Sequence, residues 1–504
     1  MVGGRVSGRA SISVFPVKIL GEVDHRIYGH FIEHLGRCIY GGIWDTEKDI
    51  LNEKVVNSII DLKPPVIRWP GGCFSDNYHW MDGIGPVNER PLRDNMPWSL
   101  LGSEYGPPET NRFGTDEFID FCRRVGAEPY INVNVGSGTP EEAANWVEYC
   151  NGSHNSKFGS LRAKYGHLRK HNVKYWGIGN ELYGPWETGH MSAEEYAEKF
   201  IEYHDAMKAV DPEIELVAVG ADKRFPNWTR TVLQKAGKYI DYLSIHFYFT
   251  GIFPEEGGAE IREDLKSYRR IIASSYLFQE ILEWVRETIN SVMGNNNRIK
   301  IAVDEWNLWW DTTQLLHANY SLRDGLWAAS ILNKLIKMSS VVKMANVAQL
   351  VNTIGIIQTV GGNVFHTATY DVMKLYRENT QKYAVSAEVS APKFSFEPLG
   401  ILKDKKDIPY LDCSATISED GKNLTVFLVN FNHESDLPIE LEIPKLRTYQ
   451  KILIKEINAP HVHSKNDFQK NEITLKQKEF VQLPEKIEYN LPAHSISALI
   501  LTKD

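Results

Sequence analysis

Short apolar runs alternate with segments of helical periodicity along most of the chain. The runs are rich in β-branched and aromatic residues without polar alternation, a pattern typical of parallel strands buried on both faces. Eight such runs occupy residues 26–31, 65–70, 128–135, 173–179, 213–220, 240–248, 299–306 and 342–352. Segments with the spacing of amphipathic helices lie between them, at residues 114–125, 141–150, 192–210, 266–293 and 321–339.

Helix-start signals agree with this alternation. Thr139 followed by Pro140 is typical of a helix beginning, and Ser192 followed by Glu195 has the spacing of a capping box. Eight strands alternating with helices predict an α/β fold of the (β/α)8 (TIM) barrel type. The alternative is a doubly wound sheet, but the glycine-rich phosphate-binding turn expected after an early strand does not occur in the sequence.

The pattern changes after about residue 385, where helical periodicity fades. Residues 415–431, 438–443 and 494–501 read as alternating strands, and Asp420-Gly421 indicates a hairpin turn. Residues 11–19 are also strand-like. We therefore predict a (β/α)8 barrel over residues 20–380 and a C-terminal all-β sandwich domain built from residues 1–19 plus 381–504.

Composition and charge narrow the function classes. The 504 residues carry 56 Lys and Arg against 65 Asp and Glu, a net charge of −9, without the basic stripe of a nucleic-acid-binding protein. The five cysteines are scattered and form no CxxC pair, which argues against a disulfide scaffold or a zinc ribbon. The sequence contains no secretory signal pattern and no apolar run long enough to span a bilayer. We expect a soluble, cytoplasmic protein without nucleic-acid or membrane partners.

In a (β/α)8 barrel the reactive groups lie at the C-terminal ends of the strands. Two glutamates stand out there, because Glu181 and Glu305 each close a strand within an aromatic-rich segment. The other polar residues at or just after strand ends are Glu33, Arg68, Cys73, Asn132, Asn134, Asn180, His246, Tyr248, Asp304, Gln349 and Asn352.

The spacing of Glu181 and Glu305 supports a shared site. The interval between them equals three βα units, which places their carboxylates across one cleft. Two facing carboxylates are the minimum equipment for glycoside hydrolysis, one as nucleophile and one as acid. The alternative is that both glutamates form structural salt bridges, as glutamates at strand ends also do.

A different pattern points to a metalloprotease. His30, Glu33 and His34 spell H-x-x-E-H, the inverted zinc-protease motif, which requires a helix. The motif follows a strand-like run and is bracketed by Gly29 and Gly36, a poor context for a helix. We therefore expect no metal and read Glu33 as a residue that lines the cleft.

Seven motifs in order give the chain a family resemblance. They occupy residues 27–37, 66–74, 78–86, 176–184, 241–248, 303–309 and 344–352. Jointly they resemble the α-L-arabinofuranosidases of glycoside hydrolase family 51, retaining enzymes with a barrel and a C-terminal β-sandwich. The resemblance implies Glu181 as acid/base and Glu305 as nucleophile, with no cofactor.

The resemblance also implies a set of sugar-binding residues. Asn180 would bond the sugar 2-hydroxyl, while Glu33 and Gln349 would hold the arabinose, and Tyr248 and His246 match residues near the nucleophile. Cys73 departs from the pattern, because many relatives have Asn there. Its thiol either lines the glycon site or is a small buried hydrophobe. We predict that Trp98, Trp306 and Trp309 form a wall for the next sugar.

The expected activity is removal of terminal non-reducing α-L-arabinofuranosyl residues from arabinan or arabinoxylan oligosaccharides by double displacement. The resemblance further implies a homo-oligomer, commonly a hexamer. The alternatives are another barrel glycosidase, such as a β-xylosidase or endoglucanase, and a carbohydrate-binding protein on a retired barrel. The intact glutamate pair argues against the retired barrel.

Overall fold

The computed structural model describes residues 8–250, 263–309, 316, 318–397, 400–402, 406–481 and 486–503. The first strand, β1 (Ala10–Glu22), belongs to a sheet described below. Eight of the later strands close a parallel barrel, which confirms the predicted fold class. They are β2 (Gly29–Phe31), β3 (Val66–Trp69), β4 (Glu128–Val133), β5 (Tyr175–Ile178), β6 (Glu215–Val219), β7 (Tyr242–Thr250), β8 (Lys300–Trp309) and β9 (Val342–Ala348).

Helices surround this barrel, and all five predicted helical segments are helices. The bounds are α1 (Glu53–Leu62), α2 (Thr115–Val125), α3 (Pro140–Asn151), α4 (Lys157–Lys164), α5 (Ala193–Val210), α6 (Pro226–Ala236), α7 (Leu265–Met293), α8 (Leu322–Lys337) and α9 (Ala368–Asn379). Both start signals are confirmed. The Thr139 hydroxyl accepts from the Glu142 amide at 3.1 Å, and Ser192 and Glu195 form a reciprocal capping box.

The barrel interior is packed. A cluster of buried side chains from seven of the strands fills it, consisting of Val66, Tyr130, Tyr175, Val217, Tyr242, Ala302 and Met344. Val66, Tyr175 and Tyr242 are the first residues of their strands. The cluster therefore fills the N-terminal part of the barrel, and the polar strand-end residues line its opposite mouth.

A nine-stranded sheet forms the second domain and includes β1, as residues 11–19 suggested. Its other strands are β10 (Tyr383–Ser390), β11 (Leu411–Ile417), β12 (Asn423–Asn430), β13 (Leu437–Glu442), β14 (Lys451–Asn458), β15 (Thr474–Val481), β16 (Ile487–Leu491) and β17 (Ile496–Thr502). The order is β15-β14-β17-β12-β11-β10-β1-β13-β16. β1 pairs antiparallel with β10 and parallel with β13. Asp420 and Gly421 lie in the turn between the antiparallel strands β11 and β12, as predicted.

The central strands of this sheet do not show the predicted alternation of buried and exposed residues. Every residue of β11 is buried, because its second face packs on barrel helix α8. Asp412 of β11 lies in this interface and contacts Lys334 at 2.8 Å and Lys337 at 3.2 Å. A stacked pair, Tyr376 and Phe427 at 4.1 Å, joins α9 to β12.

Three two-stranded antiparallel sheets account for the remaining strands among the described residues. They pair Trp44–Asp45 with Ile50–Leu51, Ile357–Val360 with Asn363–His366, and Lys393–Phe394 with Ile408–Pro409. A search of the helices within the described ranges finds none with the length and apolar character needed to cross a membrane.

Candidate active site

Glu181 and Glu305 meet at the C-terminal mouth of the barrel. Glu305 lies on β8, and Glu181 follows β5 by three residues. One carboxylate oxygen of each glutamate and one ring nitrogen of His246 all lie within 4.8 Å of one another. Both glutamate side chains are largely buried, with 16% of Glu181 and 8% of Glu305 exposed. The spacing resembles the roughly 5 Å separation of carboxyl groups in retaining glycosidases.

Glu305 is held by an arginine and a tyrosine. Arg68 of β3 donates to Glu305 Oε1 at 2.5 Å, and the Tyr248 hydroxyl donates to Oε2 at 2.7 Å. The Arg68 guanidinium also donates to Asn180 Oδ1 at 2.8 Å. These donors orient the Glu305 carboxylate, as a nucleophile requires.

A β-bulge brings two successive acids of β8 to the site. The register of β8 shifts between Ala302 and Glu305 against β7, and between Val303 and Trp306 against β9. As a result Asp304 and Glu305 both face Arg68, at 3.6 and 2.5 Å. In a regular strand successive side chains would point to opposite faces.

Glu181 occupies a left-handed backbone conformation, with φ of 42°. Such strain in a residue with a side chain is tolerated where the surroundings over-determine it. Trp186 Nε1 donates to Glu181 Oε2 at 2.9 Å, and the Tyr183 hydroxyl donates to Oε1 at 3.3 Å. His246 Nδ1 lies 2.7 Å from the same Oε1.

The electrostatics around His246 and Glu181 are linked. Burial alone would lower the pKa of His246, but the carboxylates of Glu305, Asp304 and Glu181 outweigh it and raise the pKa to about 10. Burial would raise the pKa of Glu181, yet the hydrogen bond and charge of His246 and the Trp186 N–H lower it. The two groups therefore titrate as a pair.

Asn180 is fixed from three directions. Asp76 accepts from the Asn180 backbone N–H at 2.9 Å, and Glu187 accepts from its side-chain amide at 3.1 Å. Arg68 supplies the third contact. Asp76 also accepts from the backbone amides of Val135 and Gly136, so one buried carboxyl ties together the loops that follow β3, β4 and β5.

Glu33 faces Gln349 on the other side of the site. Gln349 Nε2 donates to Glu33 Oε2 at 3.2 Å, and the amides of Gly72 and Phe74 donate to Oε1 at 3.0 and 3.1 Å. Burial, reinforced by the charge of Glu305, raises the pKa of Glu33 to about 7. Gln349 Oε1 is buried without a partner, so this pair can still offer polar atoms to a ligand.

Cys73 lies inside the site and is partly exposed. Its sulfur and carboxylate oxygens of Glu181 and Glu187 lie within 4.8 Å of one another. Glu187 is buried, and its Oε2 has no hydrogen-bond partner. Burial and then the charges of Asp76 and Glu181 raise the pKa of Glu187 well above its usual range, which favours its protonated form.

The three tryptophans of the predicted wall separate. The Trp98 indole approaches Glu33 closely enough to lower the pKa of that carboxyl, and Trp309 packs edge-on against Tyr248 at 5.8 Å. Trp306 is different. It is fully buried and packs against Trp327 of α8 at 6.0 Å, so its assignment to the wall was wrong. Glu305 faces the site, so the alternation of a regular strand points the next residue, Trp306, away from the barrel axis.

The other polar residues at the strand ends form hydrogen bonds that hold loops in place. Asn132 donates to Ser75 at 2.6 Å, Asn134 caps the turn that follows β4, and Asn352 joins the segment at Arg37 to the hairpin at Thr359.

The H-x-x-E-H motif does not build a zinc site. It runs from strand β2 into a non-helical segment. His34 pairs instead with Glu109 at 2.6 Å, while Glu33 faces Gln349. Burial lowers the pKa of His30 to about 3.

Three groups of described side chains lie close enough to share a metal ion. Two of them contain Glu181, and one of these contains Glu305, which Arg68 already neutralises. The third consists of Asp116, His167 and His171, of which Asp116 belongs to helix α2. There His171 bonds Asp116 at 2.8 Å through one ring nitrogen, and its other nitrogen faces Arg123 at 3.3 Å. An arginine at this distance opposes a cation.

Sequence reasoning missed four residues that shape the site, namely Asp76, Tyr183, Trp186 and Glu187. Trp186 lies in the same aromatic-rich segment as Glu181, which is a usable signal. Asp76 and Glu187 lie in loops without a local motif, and only the fold brings them to Asn180.

A (β/α)8 barrel with two facing glutamates at its C-terminal mouth defines a glycoside hydrolase. Residues 58–258 match the family model described as the α-L-arabinofuranosidase 1 domain, and residues 304–495 match the α-L-arabinofuranosidase C-terminal domain. The chain belongs to the α-L-arabinofuranosidases of glycoside hydrolase family 51.

Individual relatives agree over nearly the full length. An intracellular exo-α-(1→5)-L-arabinofuranosidase from Halalkalibacterium halodurans is 35% identical over 88% of this chain and 89% of that protein. The crystal structure of an arabinose complex of an α-L-arabinofuranosidase from Thermotoga maritima matches with a TM-score of 0.88 and 38% identity, over 98% of this chain and 100% of the other. The family 51 enzyme from Thermotoga petrophila also gives 0.88 and 38%, over 97% and 99% of the two chains.

Proposed function

We propose that the protein is a retaining exo-acting α-L-arabinofuranosidase that works by double displacement, with Glu305 as nucleophile and Glu181 as acid/base. The observation that carries the proposal is the meeting of these two carboxylates within 4.8 Å at the barrel mouth. Their partners divide the roles. Glu305 accepts two strong hydrogen bonds and has a full positive charge beside it, whereas Glu181 lies beside a histidine and two aromatic hydrogen-bond donors.

In the first step a carboxylate oxygen of Glu305 attacks the anomeric carbon of the arabinofuranosyl group. The bond from that carbon to the aglycon oxygen breaks, and Glu181 gives the departing oxygen a proton. In the second step Glu181 removes a proton from water. The water oxygen bonds to the anomeric carbon, and the Glu305 ester breaks with retention of configuration.

The surrounding residues form the proposed glycon site. Asn180 would bond the 2-hydroxyl, Glu33 and Gln349 would hold further hydroxyls, and Cys73 would lie against the sugar. Trp98 and Trp309 would contact the next residue. Gly71 and Gly72 leave room here, since a Cβ at Gly71 would lie 2.5 Å from Glu33 Cγ and one at Gly72 would lie 2.7 Å from Glu305 Oε1.

The proposed substrates are terminal non-reducing arabinofuranosyl groups of arabinan or arabinoxylan oligosaccharides. A cytoplasmic location fits such small substrates, and a relative carries the word intracellular in its name. That name also makes 1,5-linked arabino-oligosaccharides the first substrates to assay. Assembly into a homo-oligomer, such as a hexamer, is proposed on family resemblance.

Glu181→Ala and Glu305→Ala test the roles on 4-nitrophenyl α-L-arabinofuranoside with and without azide. Azide should restore turnover in Glu181→Ala and give an arabinosyl azide of retained configuration, because it attacks the ester without base assistance. Glu305→Ala should give only the inverted azide. Glu141→Ala, at an exposed glutamate at the start of α3, is the control and should keep wild-type activity. Undiminished activity in either site variant would contradict the assignment.

A further inference from the structure

The mechanism above leaves His246 without a role, although its ring lies between the two glutamates. Nδ1 lies 2.7 Å from Glu181 Oε1 and 3.7 Å from Glu305 Oε1. Nε2 faces Asp304 Oδ1 at 3.4 Å. The residue is 8% exposed, so its polar contacts are with protein groups.

Asp304 is itself anchored, which fixes the far side of the ring. The Tyr130 hydroxyl donates to Asp304 Oδ2 at 2.7 Å, and the Ser244 hydroxyl bonds to Oδ1. Arg68 lies 3.6 Å away. Burial opposes ionisation of Asp304, but Arg68 and His246 outweigh it and lower its pKa below the usual range. An ionised Asp304 favours the tautomer of His246 with its hydrogen on Nε2.

The charged groups facing His246 come from three elements. β3 contributes Arg68, β8 contributes Asp304 and Glu305, and the segment after β5 contributes Glu181. Arg68 balances one of the β8 charges. His246 is thus in direct contact with Glu181 and able to carry the balancing charge. A further positive charge, Arg224, acts on Glu181 from the segment after β6.

We propose that His246 and Glu181 hold the catalytic proton jointly, shared between Nδ1 and Oε1, with Asp304 holding the opposite ring nitrogen as a donor. The inference deepens the proposed function and rests on it. His246 acts through Glu181 and is a positioning residue.

The proton balance follows through both steps. In the free enzyme the pair carries one proton. That proton goes to the aglycon oxygen while its bond to the anomeric carbon breaks, which leaves a neutral His246 and an ionised Glu181. In the second step water returns one proton to the pair as its oxygen bonds to the anomeric carbon and the Glu305 ester breaks.

The sharing has a consequence for the pH profile. A carboxyl acid acting alone loses its proton once the pH rises above about 4 to 5, and it then fails as an acid. The pair retains its proton up to the pKa of His246, which its carboxylate neighbours raise to about 10. The enzyme should therefore keep a competent acid in alkaline solution, and the alkaline limb of kcat/KM should lie above about pH 8.

The test compares wild type and His246→Gln on two substrates across pH 5–10. Phenyl α-L-arabinofuranoside needs acid assistance, whereas the 2,4-dinitrophenyl analogue does not. For the phenyl substrate, His246→Gln should move the alkaline limb of kcat/KM down by at least about one pH unit and lower kcat/KM at pH 8 more than about tenfold. For the dinitrophenyl substrate the change should stay within about threefold.

Trp186→Phe is the matched control, because it also removes one N–H donor from Glu181. The indole cannot titrate, so its loss should leave the alkaline limb in place or move it upwards. Trp186 is 48% exposed, which makes the variant safe for folding.

Three outcomes would overturn the inference. The first is a wild-type alkaline limb of kcat/KM at pH 5–6, which can be measured without a variant. The second is an alkaline limb that stays in place in folded His246→Gln. The third is an equal loss of kcat/KM on the phenyl and dinitrophenyl substrates. Failure of the proposed function is distinguishable, since wild type would then cleave neither arabinofuranoside.

Discussion

Arg68 is the residue on which the charge balance of the site depends. It contacts Glu305, Asn180 and Asp304 while only 1% of its side chain is exposed. Its planar guanidinium can reach all three at once, which a lysine ammonium cannot. Glu305, the proposed nucleophile, and Asn180, a proposed sugar-binding residue, are thereby oriented by one cation.

Arg68→Lys should therefore reduce kcat/KM on an aryl arabinofuranoside. Loss of one charge-assisted hydrogen bond costs about 2 kcal/mol, which is about 30-fold in rate. Arg90→Lys is the control, because Arg90 pairs with Glu117 away from the site and should affect stability alone. Equal kcat/KM in wild type and Arg68→Lys would contradict the role given to Arg68.

Cys73 lies in the site, and its thiol should nevertheless be unreactive. Burial, followed by the charges of Glu187, Glu33 and Glu181, raises the pKa of Cys73 well above the usual range. Since the thiolate is the reactive form, native enzyme at pH 8 should keep its activity in iodoacetamide. Mass spectrometry should find label on Cys73 only after denaturation, and rapid inactivation with one label on Cys73 would refute this.

The sequence predicted individual site residues where they lie at the end of a recognisable strand. Glu181, Glu305, Glu33 and Gln349 lie together as expected, because each lies at or near the end of a recognisable strand. Asp76 could not be found this way, since its contacts are to backbone amides of loops that only folding brings together.

At the scale of elements, β8 explains both a success and an error. The sequence motif around Glu305 indicated a strand and a candidate nucleophile. It did not indicate that Asp304 and Glu305 would face the same way, because the alternation rule fails across a bulge. The error over Trp306 has a simpler cause, since ordinary alternation after Glu305 points Trp306 towards the helices.

The turn after β3 has no space for a side chain at Gly72. A Cβ there would lie 2.7 Å from Glu305 Oε1. Gly72→Ala should lower kcat/KM at least about 100-fold, because small displacements of reacting groups are costly. Gly325→Ala in α8 is the control and should retain wild-type kcat/KM; a fully active Gly72→Ala would contradict the prediction.

For the whole molecule, Asp412 joins the sheet domain to the barrel. It accepts hydrogen bonds from Ser330 at 2.9 Å and from Lys337 at 3.2 Å, and it forms an ion pair with the wholly buried Lys334 at 2.8 Å. The sequence predicted the division into barrel and all-β domain from the change of periodicity. It could not predict this interface, because nothing in the sequence of either domain marks the face that packs against the other domain.

Asp412→Ala should destabilise the protein by about 3–5 kcal/mol, since it leaves Lys334 buried without a counter-charge. Burial already lowers the pKa of Lys334 to about 8, below its value in the unfolded chain. The folded state therefore binds fewer protons above that pH, and the defect should be smaller at pH 9 than at pH 6.

Urea unfolding at both pH values measures this. Glu419→Ala, which removes an exposed pair with Lys382, is the control and should change stability by less than about 0.5 kcal/mol. A larger defect at pH 9 than at pH 6 would contradict the account of Lys334.

The position of β1 in the chain determines how long this strand waits for its sheet partners during synthesis. This strand is translated before the barrel, whereas its neighbours β10 and β13 are translated only after the entire barrel. At about 5–20 residues per second, β1 waits roughly 20–75 s for its first partner. During that interval its edges are open to other chains, so nascent protein should depend on holding chaperones more than the finished enzyme does.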